Sequence, residues 1–284
     1  MILIAESGST KTNWCLIKAD KHKTYFDTEG YNPYFVSSDA IEQSLKKHIP
    51  AAIGVEMIDE IHFYGAGCFP EKKYVVGNAL KEIFPLTKIL IEVDLLAAAR
   101  AMLGKKAGFA AILGTGTNTG LYDGQHITGN VDSLGYILGD EGSGCAIGKK
   151  LLGDYVRGYM PPDLREIFWQ EYKLTPADIM NEIYSKQLAN RFCAGFSTFV
   201  HKNIDNRYLH DLVQKTFYDL FQNLVSHYPE YKQYTFNCVG SVAYSYKKIL
   251  TGVVEQFDMK PGKFLRAPIE ELVKYHEDLS FNYV

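Results

Sequence analysis

Hydrophobic positions form two kinds of pattern along the chain: short apolar blocks, and longer segments with an apolar residue every three or four positions. The apolar blocks, which are typical of buried β-strands, lie at residues 1–5, 61–65, 89–93, 109–113 and 235–239. The periodic segments, which predict amphipathic helices, lie at residues 40–49, 73–83, 95–102, 209–225 and 244–257. Strands and helices in this alternation indicate an α/β fold.

The same opening occurs twice in the chain. An apolar strand at residues 1–5 is followed by a turn at 6–12 and a return strand at 14–17. A second apolar strand at 109–113 is followed by a turn at 114–120 and the start of another return strand. This repetition predicts two α/β halves, and the segment GKKAG between them is a candidate hinge because glycines bound it.

Both turns consist mainly of glycines and residues with small polar side chains. They read ESGSTKT at residues 6–12 and GTGTN at residues 114–118. Phosphate groups bind to backbone N–H groups and hydroxyls that can approach closely, and glycine permits this approach because it has no Cβ. A single turn of this kind is more often only a hairpin. Two matched turns, one in each half, favour a nucleotide that both turns hold.

The sequence lacks two common nucleotide-binding motifs. A P-loop requires G-x-x-x-x-G-K-[ST], but the pair Gly148-Lys149 is followed by Lys150 rather than by a hydroxyl residue. The dinucleotide fingerprint requires G-x-G-x-x-G before a helix, whereas the second turn reads G-x-G-x-x-x-G before a predicted strand. The turns therefore predict a different kind of phosphate site.

Asp94 stands where the predicted strand at 89–93 ends and a helix begins. Open α/β sheets bind their ligands at such positions. Aspartate is also a common N-cap residue, and the sequence leaves both interpretations open. As a base, the carboxylate would accept the proton of a hydroxyl group that attacks a phosphorus atom.

A third glycine-rich segment, LGYILGDEGSGCAIGKKLL, spans residues 134–152. It places Asp140 among glycines just before a predicted helix. We expect amides of Gly142, Ser143 and Gly144 to be available at the N-terminus of this helix, where the helix dipole favours anions. Capping alone leaves the density of glycines in this segment unexplained.

Charge and cysteine content narrow the possible partners. The 284 residues carry a net charge of -3, which gives no general attraction to nucleic acid or to an anionic membrane. Five cysteines lie far apart without a C-x-x-C pair, which argues against a disulfide framework or a zinc ribbon and favours reduced thiols in a cytoplasmic protein. The N-terminal sequence lacks the features of a signal peptide, and no window reaches the roughly 18 apolar residues of a membrane helix.

The motifs ESGSTKT, GTGTN and GDEGS occur in an order and spacing similar to those of the sugar kinase/Hsp70/actin ATPase superfamily. The chain resembles the N-acetylglucosamine kinase-like branch, which is grouped with the ATPase activators of benzoyl-CoA reductase and 2-hydroxyacyl-CoA dehydratase. The resemblance implies an actin-like ATPase fold, with two ribonuclease H-like lobes and a nucleotide cleft between them. It implies an N-terminal lobe at residues 1–106, onto which a C-terminal helix at 268–284 packs, and a C-terminal lobe at 107–267 with a helical insertion.

The resemblance also implies roles for individual residues, with ATP and Mg²⁺ as cofactors. Contacts to the ATP phosphates are implied for Gly8, Ser9, Thr10, Lys11, Thr12, Gly114, Thr115, Gly116, Thr117 and Asn118. Contacts to adenosine are implied for Gly240 and Ser241. Contacts to the sugar are implied for Asn32, Asp94, Thr115, Gly135 and Asp140. Mg²⁺ is expected at Glu6 and Asp140, and Asp94 matches the catalytic base.

Three positions depart from the pattern of the family. The superfamily usually has aspartate where this chain has Glu6, and a glycine pair where this chain has Gly240 and Ser241. Before GDEGS, the acetylglucosamine kinases tend to read G-G-W-G, whereas this chain reads D-S-L-G and keeps only Gly135. The motifs for the nucleotide are therefore better matched than those for the sugar.

We expect the protein to phosphorylate an amino sugar from ATP at a primary hydroxyl, the sugar being N-acetylglucosamine or a related N-acetylhexosamine. An activator-type ATPase that couples ATP hydrolysis to a redox partner is the alternative, although the scattered cysteines provide no close pair for its iron–sulfur cluster. A non-catalytic, nucleotide-gated sugar sensor on the same fold is a third possibility. The expected partners are the sugar and ATP, with no nucleic acid and no membrane, and long amphipathic helices in the second half leave a homodimer open.

Overall fold

The computed structural model of this protein describes residues 1–51 and 53–280. The strands are β1 (Ile2–Ser7), β2 (Lys11–Ile17), β3 (Lys23–Glu29), β4 (Glu60–Gly65), β5 (Lys88–Val93), β6 (Gly108–Leu113), β7 (Thr117–Tyr122), β8 (Ile127–Gly129), β9 (Thr235–Val239) and β10 (Lys260–Leu265). The helices are α1 (Ser38–His48), α2 (Lys73–Ile83), α3 (Asp94–Leu103), α4 (Gly135–Leu138), α5 (Gly144–Arg157), α6 (Pro162–Tyr172), α7 (Pro176–Tyr184), α8 (Ala189–Gly195), α9 (Ser197–Lys202), α10 (Arg207–Asn223), α11 (Ser241–Ser245), α12 (Lys247–Gln256) and α13 (Ile269–Ser280). Short 3-10 helices lie at Val55–Met57, Val225–His227 and Tyr231–Gln233.

The chain divides into two compact units. Unit 1 comprises the described residues of 1–107, residues 122–127 and the described residues after Arg266. Unit 2 comprises residues 108–121 and 128–266. The first crossing between the units therefore lies at 107/108, beside the predicted lobe boundary at 106/107. Helix α13 packs against α3 within unit 1, and the part of the predicted C-terminal helix at 281–284 lies outside the described residues.

The sheet of unit 1 has the strand order β3-β2-β1-β4-β5. Strands β1, β2 and β3 are antiparallel neighbours, whereas β1, β4 and β5 run parallel. In the parallel part, Ser7 pairs with Gly65 and Gly65 pairs with Val93. The carboxyl ends of these three strands consequently lie in register at one edge of the sheet, and the residues that follow them are neighbours.

Alternating side chains along the strands of unit 1 bury both faces of the sheet. On β1, Leu3 and Ala5 belong to the same core cluster as Ile41 of α1 and Leu80 of α2. Ile4 between them is equally buried but lies outside that cluster, and helices α3 and α13 contact β1. Helices therefore cover both faces of the sheet.

The sheet of unit 2 has the order β10-β9-β6-β7-β8, with β6, β9 and β10 parallel. Its core joins the strands to the helical segment between α5 and α10, and Phe109, Phe221 and Phe236 pack together at its centre. Helix α10 matches the predicted periodic segment at 209–225 within two residues at each end.

Strands β3 and β10 were not predicted from the sequence. Both lie at the edge of a sheet, where one face and one side of the strand meet solvent. Accordingly, β3 has the polar sequence KTYFDTE, and β10 contains a proline and a glycine in KPGKFL. No helix within the described part of the chain is both long and apolar enough to cross a membrane.

Candidate functional site

Unit 1 gathers several of the predicted site residues at the carboxyl edge of its parallel strands. The hairpin between β1 and β2 follows Ser7, and Asp94 is the first residue after β5. Because Ser7, Gly65 and Val93 are in register, the hairpin and Asp94 belong to the same edge. This arrangement is the one in which open α/β sheets bind their ligands.

The first hairpin, residues 8–10, is a tight turn. The N–H of Gly8 donates to the carbonyl of Lys11 over 2.9 Å. The N–H of Gly30, directly after β3, donates to the carbonyl of Thr10 over 3.0 Å. A Cβ on Gly30 would lie 2.4 Å from the Gly8 carbonyl oxygen, so only glycine allows the chain to pass this close to the hairpin.

The side chain of Thr12 lies in the interior of unit 1. Its hydroxyl is fully buried, donates to the carbonyl of Glu29 over 2.8 Å and lies 2.8 Å from the hydroxyl of Ser7. The Ser7 hydroxyl in turn accepts the N–H of Tyr31 over 2.9 Å. The Thr12 hydroxyl thus has a structural role, because strand alternation points this side chain into the interior, while the phosphate contact predicted for Thr12 stays a prediction.

Lys11 extends from the first residue of β2. Its ammonium group lies 2.9 Å from the carboxylate of Asp27 on β3, and both side chains are more than half exposed. Its predicted contact to a phosphate stays a prediction, and Asp27 would compete for the same ammonium group.

Glu6 is a half-buried carboxyl group on β1. The side-chain amide of Asn13, its register partner on β2, donates to it over 3.0 Å. Burial raises the pKa of Glu6 to about 7, against the hydrogen bond from Asn13, and the negative charge of Asp94 raises it further. Lys11 acts in the opposite direction.

The carboxyl groups of Glu6 and Asp94 are close enough to repel each other, and a divalent cation would relieve this repulsion. Carboxylate oxygens are hard ligands, and Mg²⁺ is usually held by one or two carboxylates together with water and phosphate. No cluster of three or more histidine, cysteine, aspartate or glutamate side chains in the described residues could hold a metal ion by itself. The acidic pair therefore fits Mg²⁺ that arrives with a phosphate ligand. The other predicted ligand, Asp140, belongs to unit 2.

Asp94 occupies the first position of α3, and Val93 precedes it as the N-cap residue. One carboxylate oxygen of Asp94 accepts the N–H of Leu95 over 2.8 Å. Asp94 also raises the pKa of Cys68, which burial raises first, so its charge acts on the loop after β4 as well.

Asn32 is buried beside this loop. Its side-chain oxygen accepts the N–H of Tyr34 over 3.0 Å. Gly67 has a φ of +75°, and a Cβ there would lie 2.5 Å from the Asn32 side-chain oxygen. The close approach of Gly67 thus lets the predicted sugar contact lie at the edge that also carries Asp94.

The second hairpin, residues 114–116, lies in unit 2 between β6 and β7. The N–H of Gly114 donates to the carbonyl of Gly116 over 3.0 Å. The carbonyls of Gly114 and Thr115 accept the N–H groups of Gly144 and Cys145 over 2.8 and 3.1 Å. The first turn of α5 is therefore attached to the hairpin.

Two of the three amides that were expected to bind an anion at the N-terminus of α5, those of Ser143 and Gly144, are occupied within unit 2. The hairpin takes the N–H of Gly144, the carbonyl of Asp140 takes the N–H of Ser143, and the Ser143 hydroxyl takes the N–H of Ala146. Glycines in this segment serve close backbone contacts, because a Cβ on Gly144 would lie 3.3 Å from the Gly114 carbonyl oxygen and one on Gly148 would lie 1.8 Å from that of Cys193. The sequence could not indicate this because these partners are about 30 or more positions apart.

Asp140 caps the second hairpin from a separate loop. Its backbone has a φ of +59°, and its carboxylate accepts the N–H of Thr117 over 3.0 Å. Burial raises the pKa of this buried carboxyl group, against the bond from Thr117. A Cβ on Gly116 would lie 3.0 Å from the carboxylate, so the acid sits directly against the turn.

The other predicted residues of unit 2 lie on β7 or at the starts of short helices. Gly240 has a φ of +130° and lies so close to the end of β6 that a Cβ would be 2.2 Å from the Leu113 carbonyl oxygen. Ser241, which follows it, begins α11. Gly135 has a φ of +66° and begins α4, and the side chain of Asn118 on β7 accepts a hydrogen bond from Asn130 over 3.0 Å.

Sequence reasoning missed four residues that build this site, namely Ser7, Asn13, Gly30 and Gly67. Ser7 and Asn13 could have been found from the sequence, because a polar residue at a strand position that faces the core needs a hydrogen-bond partner. The two glycines could not, because the residues that lie against them come from other parts of the chain.

The comparisons with known proteins give one strong likeness and several distant ones. The chain is 42% identical to a "putative N-acetylglucosamine kinase" from Porphyromonas gingivalis, with 98% of this chain and 99% of that one covered and a TM-score of 0.93. A second "putative N-acetylglucosamine kinase", from Chromobacterium violaceum, has 13% identity, coverage of 96% and 98% and a TM-score of 0.67. A ROK family glucokinase from Streptomyces griseus has 13% identity, coverage of 98% and 98% and a TM-score of 0.54. At 13% identity the last two share only the fold. No family model and no curated protein matches the chain.

Proposed function

Because this chain belongs to the N-acetylglucosamine kinase-like branch of the sugar kinase/Hsp70/actin ATPase superfamily, we infer that it is an ATP-dependent sugar kinase. We propose that its acceptor is an amino sugar, N-acetylglucosamine or a related N-acetylhexosamine, and that the phosphoryl group goes to a primary hydroxyl. The family membership agrees with the actin-like ATPase fold predicted from the sequence.

The observation that carries this proposal is the position of Asp94 beside Glu6 at the carboxyl edge of the unit 1 sheet. One carboxylate lies at a helix start, where it can accept a proton, and the two carboxylates together offer the hard oxygen ligands that a divalent cation requires. Phosphoryl transfer depends mainly on positioning and charge stabilisation, and such a pair of carboxylates can provide both.

In the proposed reaction, Asp94 accepts the proton of the primary hydroxyl while the oxygen of this hydroxyl forms a bond to the γ-phosphorus of ATP. The bond from this phosphorus to the β–γ bridging oxygen breaks, and ADP leaves. Backbone groups of the first hairpin are proposed to bind phosphate, and Asn32 to orient the sugar. When bound, Mg²⁺ would neutralise the charge that develops on the phosphate oxygens.

The proposal is tested by a coupled assay of ADP release across hexosamines and N-acetylated hexosamines, with and without Mg²⁺. The variant Asp94→Asn keeps the shape of the side chain but cannot accept the proton. We expect it to bind ATP normally and to lose transfer by about 10²- to 10⁴-fold. Asp39→Asn, which removes an exposed acid from the first turn of α1 in the same unit, is the matched control and should transfer normally.

Three outcomes would contradict the proposal. Unchanged turnover of Asp94→Asn would reject Asp94 as the base. ADP release that needs no sugar, together with iron and sulfide in anaerobically purified protein, would favour the activator-type ATPase. Binding of an N-acetylhexosamine without phosphoryl transfer would favour a sugar sensor.

A further inference from the structure

Two hydroxyl groups are buried behind the first hairpin, where neither can touch a nucleotide or a sugar. Ser7 ends β1 and Thr12 lies opposite it on β2, and neither side chain has any exposed surface. Their oxygens are 2.8 Å apart. Two hydroxyls buried in a core of Leu3, Trp14 and Phe63 cost free energy unless they form hydrogen bonds.

The partners of the two hydroxyls fix the direction of each hydrogen bond. A hydroxyl has one proton, and the Thr12 proton goes to the carbonyl of Glu29 over 2.8 Å. Ser7 must then donate to Thr12, and its own oxygen accepts the N–H of Tyr31 over 2.9 Å. The result is a directed chain from the Tyr31 amide through Ser7 and Thr12 to the Glu29 carbonyl.

This chain begins and ends on the segment that connects β3 to Asn32. It holds Glu29 on one side of Gly30 and Tyr31 on the other, while Gly30 itself donates to the Thr10 carbonyl of the hairpin. Three consecutive residues are therefore attached to the first hairpin and its strands.

The side chain of Tyr31 secures the same segment from the other side. Its ring is buried edge-to-face against Trp14, and its hydroxyl donates to Ser44 of α1 over 2.9 Å. Asn32 is the next residue, so the contacts of Tyr31 also restrict the position of the Asn32 backbone. Its side-chain oxygen lies against Gly67, and small shifts of the segment would be transmitted to it directly.

We propose that Ser7 and Thr12 are positioning residues for the acceptor sugar: their hydroxyl chain ties the Gly30–Asn32 segment to the phosphate hairpin and so fixes Asn32 for sugar binding. This inference rests on the proposed function, because it takes Asn32 as a sugar contact. It also reassigns Thr12, which the motif had placed among the phosphate contacts. If Thr12 positions the sugar, a substitution there changes the KM for the acceptor. If Thr12 contacts a phosphate, the substitution changes the KM for ATP.

The experiment compares four variants by steady-state kinetics with N-acetylglucosamine as acceptor. Thr12→Val and Ser7→Ala each break the chain, and Ser7→Ala leaves the buried Tyr31 N–H without its acceptor. We expect both to raise the acceptor KM about tenfold while the KM for ATP changes less than about twofold. Thr12→Ser keeps the hydroxyl and should restore the acceptor KM. Thr216→Val removes a buried hydroxyl from α10 in unit 2 and should leave both constants unchanged.

Hydrogen exchange provides a readout that does not depend on the reaction. In Ser7→Ala we expect the Tyr31 amide to exchange about tenfold faster than in the parent protein, with no change in the exchange of amides in unit 2. A rise in the KM for ATP alone would return Thr12 to the phosphate site and overturn the proposal. Unchanged exchange at Tyr31 would overturn it as well. If the parent protein phosphorylates no sugar, the proposed function fails, while the exchange experiment still decides whether the hydroxyl chain holds the segment.

Discussion

The two hairpins look alike in sequence, but the structure supports them in different ways. The first, at residues 8–10, is backed by residues of its own sheet: the Ser7–Thr12 hydroxyl chain and the end of β3. The second, at residues 114–116, is backed by the first turn of α5 and by the carboxylate of Asp140. Each hairpin thus has an acid beside it, but Glu6 comes from the hairpin's own strand and Asp140 from a loop more than 20 residues away.

A turn of small residues therefore specifies its own shape and little about its surroundings. The chemistry depends on what lies behind the turn. In unit 1 the acid lies close to the negative charge of Asp94, whereas in unit 2 the acid is engaged in holding the turn itself. We therefore expect substitution of Glu6 to affect transfer strongly, and substitution of Asp140 to affect it weakly.

Among the substitutions that compare the two hairpins, the largest effect is expected from Glu6→Gln. Loss of the carboxylate removes the proposed Mg²⁺ ligand of unit 1, and we expect transfer to fall at least about 100-fold. The folded-state pKa of about 7 lies above the ordinary 4.5, so the wild-type protein loses stability as pH rises from 4.5 through 7. Glutamine removes this loss and still accepts the bond from Asn13. At pH 8 the variant should therefore be more stable, on the order of 2 kcal/mol.

Urea unfolding at pH 6 and pH 8 without nucleotide or metal measures the stability, and the coupled assay measures the transfer. Glu56→Gln, which removes an exposed carboxylate from the same unit, is the control and should change neither. A variant that transfers normally would remove Glu6 from the site. A variant of unchanged stability at pH 8 would mean that the carboxylate is not held in the buried environment described above.

The sequence predicted the features that depend on neighbouring residues. The strands β1, β4, β5 and β6, both hairpins, and the position of Asp94 after β5 follow from apolar blocks and turn residues. It failed where partners are distant in the chain. The inward direction of Thr12 depends on the register of β1 and β2, and the use of the Gly144 amide depends on a hairpin 30 residues earlier. A motif records which residues occur, while burial decides which of their atoms can reach a ligand.

A smaller effect, on stability rather than on transfer, is expected from Gly240→Ala. The φ of +130° is unfavourable for alanine, and its Cβ would lie 2.2 Å from the Leu113 carbonyl oxygen, a backbone atom that cannot move aside cheaply. We expect the free energy of unfolding to fall by about 3 kcal/mol. Gly114→Ala is the matched control, since nothing lies within 4 Å of its Cβ, and it should cost less than about 1 kcal/mol. Equal costs in urea unfolding would contradict the close contact between β9 and β6.

The smallest effect is expected from Asp140→Asn. Asparagine keeps an oxygen that can accept the Thr117 N–H, so the second hairpin should retain its shape, and only the charge is lost. The carboxylate is buried, and removal of its charge also removes a desolvation cost, so the free energy of unfolding should change by less than about 1 kcal/mol. We expect transfer to fall about tenfold or less, with a higher Mg²⁺ concentration needed for half-maximal rate. Titration of the rate with Mg²⁺ in Asp140→Asn and Glu6→Gln tests this comparison, since equal losses would mean that transfer depends on the charge of Asp140 as strongly as on that of Glu6.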